Sequence, residues 1–423
     1  MIKALILFAI TYVLMLAFQK YRPYIALGSA ALFVALGLMP VGNVLGYVDF
    51  NVLLMIAGTM GTVALMIESK MPNLMADVLL DHVPNVKWAI VMLALFAGVV
   101  SAFIDNVATV LMIAPIGLAI AKKLNISPVS MIIAIAVSSN LQGAATLVGD
   151  TTAIMLGGYA GMNFLDFFVY KGKPGMFFAV ELGAVLSAII LLYLFRKESA
   201  PVDKNEHTKV TNFVPTILLV ATVVALIIAS VLPNMPEMIN GIICVTIMLI
   251  GAIHNVIYKK DAKAFVEPLK EIDFETIMLL FGLFIVVGGI TEMGVVDAIA
   301  SLFTKLGGGN LFIIYTLIVW MSVIFSAFID NIPYVATMLP VAQGIAASMG
   351  VDPTVLYFGL LSGATLGGNL TPIGASANIT GIGILRKSGW EVKNSDFLKI
   401  GIPFTMAAII PAYIYVWVFF HNL

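Results

Sequence analysis

Residues 101–115, SAFIDNVATVLMIAP, return at 326–340 as SAFIDNIPYVATMLP, 225 positions later. In both copies an Asp-Asn pair, Asp105-Asn106 and Asp330-Asn331, interrupts an apolar run long enough to lie within a bilayer. A carboxylate at that depth costs roughly 2.5 kcal/mol or more, so it is kept where it meets a partner, an ion or a proton. Two such pairs in the same local sequence predict a duplicated ion or substrate site.

The rest of the chain fits a bilayer. Of its 423 residues 61% are hydrophobic and 11% charged, against about a quarter charged in soluble domains. Apolar runs of about 20 residues recur from end to end, each enough for a spanning helix. The net charge of −1 leaves no basic arm for nucleic acid. The single Cys244 excludes an internal disulfide and a multi-cysteine metal site, and the four histidines are scattered. No HExxH, GxSxG or Walker A sequence is present, so neither a hydrolase nor direct use of ATP is expected. The apolar N-terminal run lacks a small-residue cleavage site and reads as a retained span.

Taken in order, spans are predicted at 2–19, 24–39 and 49–68, followed by an interfacial segment at 69–86. Residues 87–121, apolar on both sides of Asp105-Asn106, read as a re-entrant hairpin, and 128–157 as a broken span. A last span at 176–195 leads into a polar linker. The second half repeats the order: spans at 213–232, 237–257 and 272–292, a hairpin at 311–349, a broken span at 353–384 and a last span at 399–420. Asp49 answers Asp273 and Glu68 answers Glu292, both at an offset of 224, and GDTTAI from Gly149 is matched to GNLTPI from Gly368 at 219. On that alignment Asp150 corresponds to Asn369.

If each hairpin returns to its own side, each half crosses five times. Five is odd, so the second half enters upside down. The predicted fold is an all-α polytopic membrane protein of two inverted-topology repeats, 1–196 and 213–423, joined by a linker at 197–212. With both termini outside, 18 of the 22 Lys and Arg fall on the cytoplasmic side, including Lys123 and Lys204. Only Lys3, Lys171, Lys173 and Lys305 remain outside. This threading makes the linker cytoplasmic and opens the first hairpin from the cytoplasm, in the cell membrane.

Four interruptions should then meet near the midplane. Asp105, Asn106 and Thr109 with Asp150, Thr151 and Thr152 are predicted to form one oxygen-rich cluster. Asp330, Asn331, Asn369, Thr371, Ser376 and Asn378 form its mirror. Oxygen ligands suit sodium, for which Asp105, Asn106, Asp330 and Asn331 are the candidate ligands, and a carboxylate carries a proton instead. Gly143, Gly149, Gly368 and Gly374 let the backbone break. The plain structural reading is that the hairpin-tip aspartates cap the helices that follow. The two roles are compatible, and Thr109 and Ser376 serve equally well as packing hydroxyls.

SAFIDNVATV, GAATLVGDTTAIM, SAFIDNIPYVATMLP and GGNLTPIGASANI together resemble the ion transporter superfamily. It embraces ArsB-type arsenite permeases, NhaD-type sodium/proton antiporters, the P protein and the divalent-anion/sodium symporters. The resemblance implies a homodimer that takes a small inorganic ion or small anion. It also implies a scaffold from 1–86 and 213–310 and a transport part from 87–196 and 311–423 that slides like an elevator. A separate ATPase subunit accompanies some arsenite pumps of the family. Where the symporters resemble Ser-Asn-Thr at each tip, this chain has Asp105-Asn106-Val107 and Asp330-Asn331-Ile332. The leading expectation is proton-linked efflux of sodium or arsenite, with no cofactor beyond sodium ions or protons. The alternatives are a sodium-coupled citrate or dicarboxylate symporter and, from another class, an ion channel.

Overall fold

The computed structural model describes residues 1–123, 126–201 and 207–423. Of the expected linker, 202–206 with Lys204 lie outside the described residues, as do 124 and 125 and the side chain of Lys123. Among the described residues, seven helices have the length and apolarity to cross a bilayer. They are Phe50–Glu68, Met176–Leu194, Val214–Val231, Ile239–Lys259, Phe274–Glu292, Asn331–Met349 and Asn394–Phe420. Ile2–Ala17 and Arg22–Ala35 are shorter and turn back on each other through a bend of 118°. The architecture is all-α and polytopic, built of two inverted repeats. One antiparallel ladder, Val169–Tyr170 with Lys173–Pro174, joins two of the elements.

The repeats match device for device. Asp49 caps Phe50–Glu68 by accepting from Val52 N at 3.0 Å, and Asp273 caps Phe274–Glu292 by accepting from Thr276 N at 3.0 Å. Each satisfies an amide that the helix itself leaves unpaired. These two spans then cross over. Phe50–Glu68 packs on Ile239–Lys259 of the other repeat, and Phe274–Glu292 packs on Arg22–Ala35. Glycine makes both crossings close: a Cβ on Gly58 would stand 2.3 Å from the Cys244 carbonyl carbon, and one on Gly282 2.7 Å from that of Ala26. Without a hydrophobic drive inside lipid, such close van der Waals packing is what joins helices.

The first hairpin is Val86–Ser101 and Asn106–Lys123, and the second is Leu311–Ser326 and Asn331–Met349. Asn85 and Asn310 cap their outer arms. The first broken span is Val129–Gly143 followed by Thr151–Ala160. The second runs through Thr354–Leu361 and a π-turn at Ser362–Leu366 to Ser376–Lys387. The final spans, Met176–Leu194 and Asn394–Phe420, pack on each other, and the latter begins five residues ahead of the expected 399.

The geometry of the breaks corrects the sequence alignment. Thr146 donates its hydroxyl to Ala102 O, and Thr371 donates to Ala327 O. A Cβ on Gly149 would lie 2.6–2.7 Å from the carbonyls of Gly143, Ala102 and Ser101, and one on Gly374 2.5–3.0 Å from those of Gly368, Ser326 and Ala327. Every pair is 225 apart, not 219. The counterpart of Asp150 is therefore Ala375, not Asn369, and that of Thr151 is Ser376. Matching GDTT to GNLT paired similar chemistry, whereas the fold pairs the glycines that must touch hairpin-tip carbonyls. All four predicted break glycines sit at these contacts or at the ends they join, and none needs a positive φ.

Candidate functional site

The two tips and two breaks bring the first turns of four helices, starting at Asn106, Thr151, Asn331 and Ser376, toward one region. Helix N-termini carry unpaired N–H groups and a partial positive charge. The carboxylates beside them answer that charge in different ways. Asp105 Oδ2 accepts from Val107 N at 3.0 Å and Ala108 N at 3.2 Å, and Asp330 Oδ1 accepts from Ile332 N at 3.2 Å. Both tip aspartates thus cap, as the structural reading expected. Asp150 precedes Thr151–Ala160 but makes no side-chain capping bond. Its Oδ2 accepts from Thr152 Oγ1 at 3.0 Å and lies 3.5 Å from Asn331 Nδ2. The residue is only 3% exposed.

The two expected clusters are not separate; the repeats interleave. Thr152 meets Thr365 of the second repeat, their hydroxyls 2.8 Å apart. Asn106 Nδ2 donates to Asn140 Oδ1 at 3.0 Å. Asn140 Nδ2 in turn donates to Thr365 O at 2.7 Å and Asn369 Oδ1 at 3.1 Å, and Asn369 donates to Val137 O. A chain of buried amides therefore ties the first tip to the second broken span.

A cavity of about 610 Å³ ends on this network. Asp105, Asn106, Asp150, Thr151, Asn331 and Ser376 line its inner end. Toward the rim stand Glu68, Glu267, Glu271 and Asp273, with Lys259 held between Glu68 and Glu267. Six carboxylates and one lysine line the space. A net negative lining of this kind draws cations inward and repels anions. Among the described residues no three His, Cys, Asp or Glu side chains converge as a chelating cluster. The inner donors are instead single carboxylates among amides and hydroxyls, a hard oxygen set suited to sodium rather than to a transition metal.

The other predicted residues serve the backbone. Thr109 Oγ1 points to Ile104 O at 3.5 Å, within its own hairpin. Thr371 and Asn378 hold the second break, Asn378 Nδ2 donating to Gly368 O at 3.1 Å and Thr371 O at 3.3 Å. Asp330 lies off the cavity wall. Its Oδ2 accepts from Ser376 Oγ at 3.0 Å and Arg22 Nη1 at 3.1 Å, so a guanidinium already stands where a cation was expected. Sequence reasoning missed Asn140, Thr365 and Arg22. The run Ser138-Ser139-Asn140 with Gln142, inside an apolar helix, carried the same signal as the aspartates. Arg22, beside Pro23, read only as a boundary charge.

A family model described as citrate transporter, CitMHS, matches residues 6–363. The chain belongs to the CitMHS citrate transporter family. An uncharacterized transporter of Mycobacterium tuberculosis is 34% identical to this CitMHS chain over 335 residues, covering 77% of this chain and 76% of the relative. The human P protein is 26% identical over 461 residues, 89% of this chain and 55% of that protein. The resemblance to the ion transporter superfamily holds, the P protein relationship included. Among solved structures, the Alcanivorax borkumensis YdaH transporter superposes with a TM-score of 0.63 at 13% identity, over 92% of this chain and 88% of the other. Neisseria gonorrhoeae MtrF, described as illuminating a class of antimetabolite efflux pumps, gives 0.58 at 15% identity over 90% and 83%. At these identities the two structures speak for the fold alone. This CitMHS chain is a multi-pass membrane transporter.

Proposed function

We propose that this chain is an ion-coupled secondary transporter that exchanges a cation for protons at Asp150 and Asp105. The observation that carries the reading is Asp150: a buried carboxylate that caps no helix, pairs with no basic side chain among the described residues and lines the cavity's inner end. Leaving such a charge bare costs several kcal/mol, so it must be occupied by a proton or a metal cation. Competition between the two for one carboxylate is a sufficient coupling device. The acid-rich lining favours sodium over uncharged arsenite as cargo. In the orientation set by the positive-inside bias, the rim at Glu68 and Lys259 faces the cytoplasm and both termini face out. The crossed spans suit a fixed scaffold, and the hairpins, broken spans and final spans suit a moving unit.

A sodium-coupled citrate symporter is the second reading. The family description favours it, as do the four helix N-termini at the inner end, which offer N–H groups to a carboxylate once cations neutralise Asp105 and Asp150. Proteoliposomes with an acidic lumen and a trapped pH dye separate the two. Alkalinisation on adding sodium alone, lost in Asp150→Asn, supports exchange. Labelled citrate uptake that requires sodium, with no response to sodium alone, moves the assignment to the symporter.

A further inference from the structure

The two tip aspartates occupy equivalent positions but do not share an environment. Asp105 lines the cavity and, among the described residues, forms no ion pair. Asp330 is off the wall, 3.1 Å from Arg22, with the two side chains 12% (Arg22) and 9% (Asp330) exposed. Arg22 Nε donates to Met15 O at 3.3 Å, which fixes the guanidinium at the corner between the first two spans. A second contact lies alongside. The Tyr12 hydroxyl donates to Pro333 O at 2.5 Å and meets the Thr337 hydroxyl, both on the inner arm of the second hairpin.

Burial gives these contacts weight. With both side chains largely removed from solvent, an unpaired guanidinium is as unfavourable as an unpaired carboxylate, so each is held by the other.

We propose that Arg22 is a tethered counter-cation that latches the second hairpin to the first two spans by occupying Asp330. The hairpin is released when a mobile cation replaces the guanidinium. This deepens the cation-exchange reading, since it gives the second tip a role without making it a second open site. It also explains why the repeats differ at the tip carboxylate they share: the first tip faces cargo, and the second is held until a mobile cation reaches it. The Tyr12 contact on the same arm is the second point of the latch.

Cross-linking tests the latch. Cys244 is the only cysteine and is buried, so introduced thiols report alone. Tyr12→Cys with Thr337→Cys, treated with a short bifunctional thiol reagent in proteoliposomes, should bridge. Adding Arg22→Gln or Asp330→Asn should lower bridging about tenfold or more, while Arg22→Lys retains it. Gel filtration of each variant shows that it is folded. Sodium, but not choline at equal ionic strength, should reduce bridging in the parent. Parent-level bridging in both neutral variants overturns the latch, and equal effects of sodium and choline overturn the exchange. Bridging reads the contact whatever the cargo, so a failure of the transport reading leaves it intact.

Discussion

Asp150 and Asn331 come from opposite repeats, 181 residues apart in sequence, and stand with Asn331 Nδ2 3.5 Å from Asp150 Oδ2. The broken span of one repeat thus touches the hairpin of the other at the carboxylate proposed to exchange cation for proton. On the proposed exchange, a proton or cation on Asp150 would change what Asn331 can donate to, at the first residue of the helix whose preceding tip Arg22 holds. That coupling is local and needs no distant pathway.

Asp150→Asn keeps the shape and removes the charge. Coupled transport should fall below about 1% of wild type, within the range lost when an essential proton-transfer group is removed. Expression should persist, and thermal stability should hold or rise, because a buried carboxylate gives way to a neutral isostere. Asp105→Asn should act in the same direction. Wild-type transport by both variants would contradict the site.

Asn140 joins three neighbours, Asn106, Thr365 and Asn369. Asn140→Ala leaves buried amide groups without partners at about 1–3 kcal/mol each. A clear drop in melting temperature with reduced transport is expected. Unchanged stability would show that the amide chain holds nothing together.

Gly149→Ala and Gly374→Ala each drive a methyl group into three backbone carbonyls that cannot give way as a flexible side chain would. Each should destabilise by about 1–3 kcal/mol, as overpacking does. Gly383→Ala is the control, since nothing lies within 4 Å of the added carbon; in a helix it should be neutral or stabilising by about 0.5–1 kcal/mol. Melting curves in detergent compare the three.

Glu267 opens the short helix Glu267–Lys270 ahead of Phe274–Glu292, and the hydrogen bond from Lys259 holds its carboxyl below the usual glutamate value. A depressed folded pKa stabilises the fold above the unfolded value, about 4.3, and that contribution is lost as pH falls through the folded value. Wild type should therefore exceed Glu267→Gln in melting temperature at pH 7, with the gap closing toward pH 3.5. Because the group is exposed, the gap should be small. A gap that widens in acid would contradict the pairing.

The duplicated SAFIDN stretch and the alternation of long apolar runs with polar interruptions were legible because each follows from one cost, that of polar groups in lipid. Hairpins, broken spans and the 224 offset at Asp49 and Asp273 came from that alone. Offset and partnership through the breaks did not. Asn369 resembles Asp150 in letters, but Gly374 is what answers Gly149, because contact with hairpin carbonyls sets the register there. Asn140 escaped notice because an amide is less conspicuous than a carboxylate, although its burial demands partners equally. The pairing of Arg22 with Asp330, 308 residues apart, has no local signature at all.

The central claim, that a cation and protons compete for Asp150, is tested most directly by proton movement in proteoliposomes of purified protein. With an acidic lumen and no other ion gradient, adding sodium outside should raise luminal pH in a saturable way. The response should be lost in Asp150→Asn and kept in Gly383→Ala. Absence of any sodium-driven change in the wild type, or an undiminished change in Asp150→Asn, would contradict it.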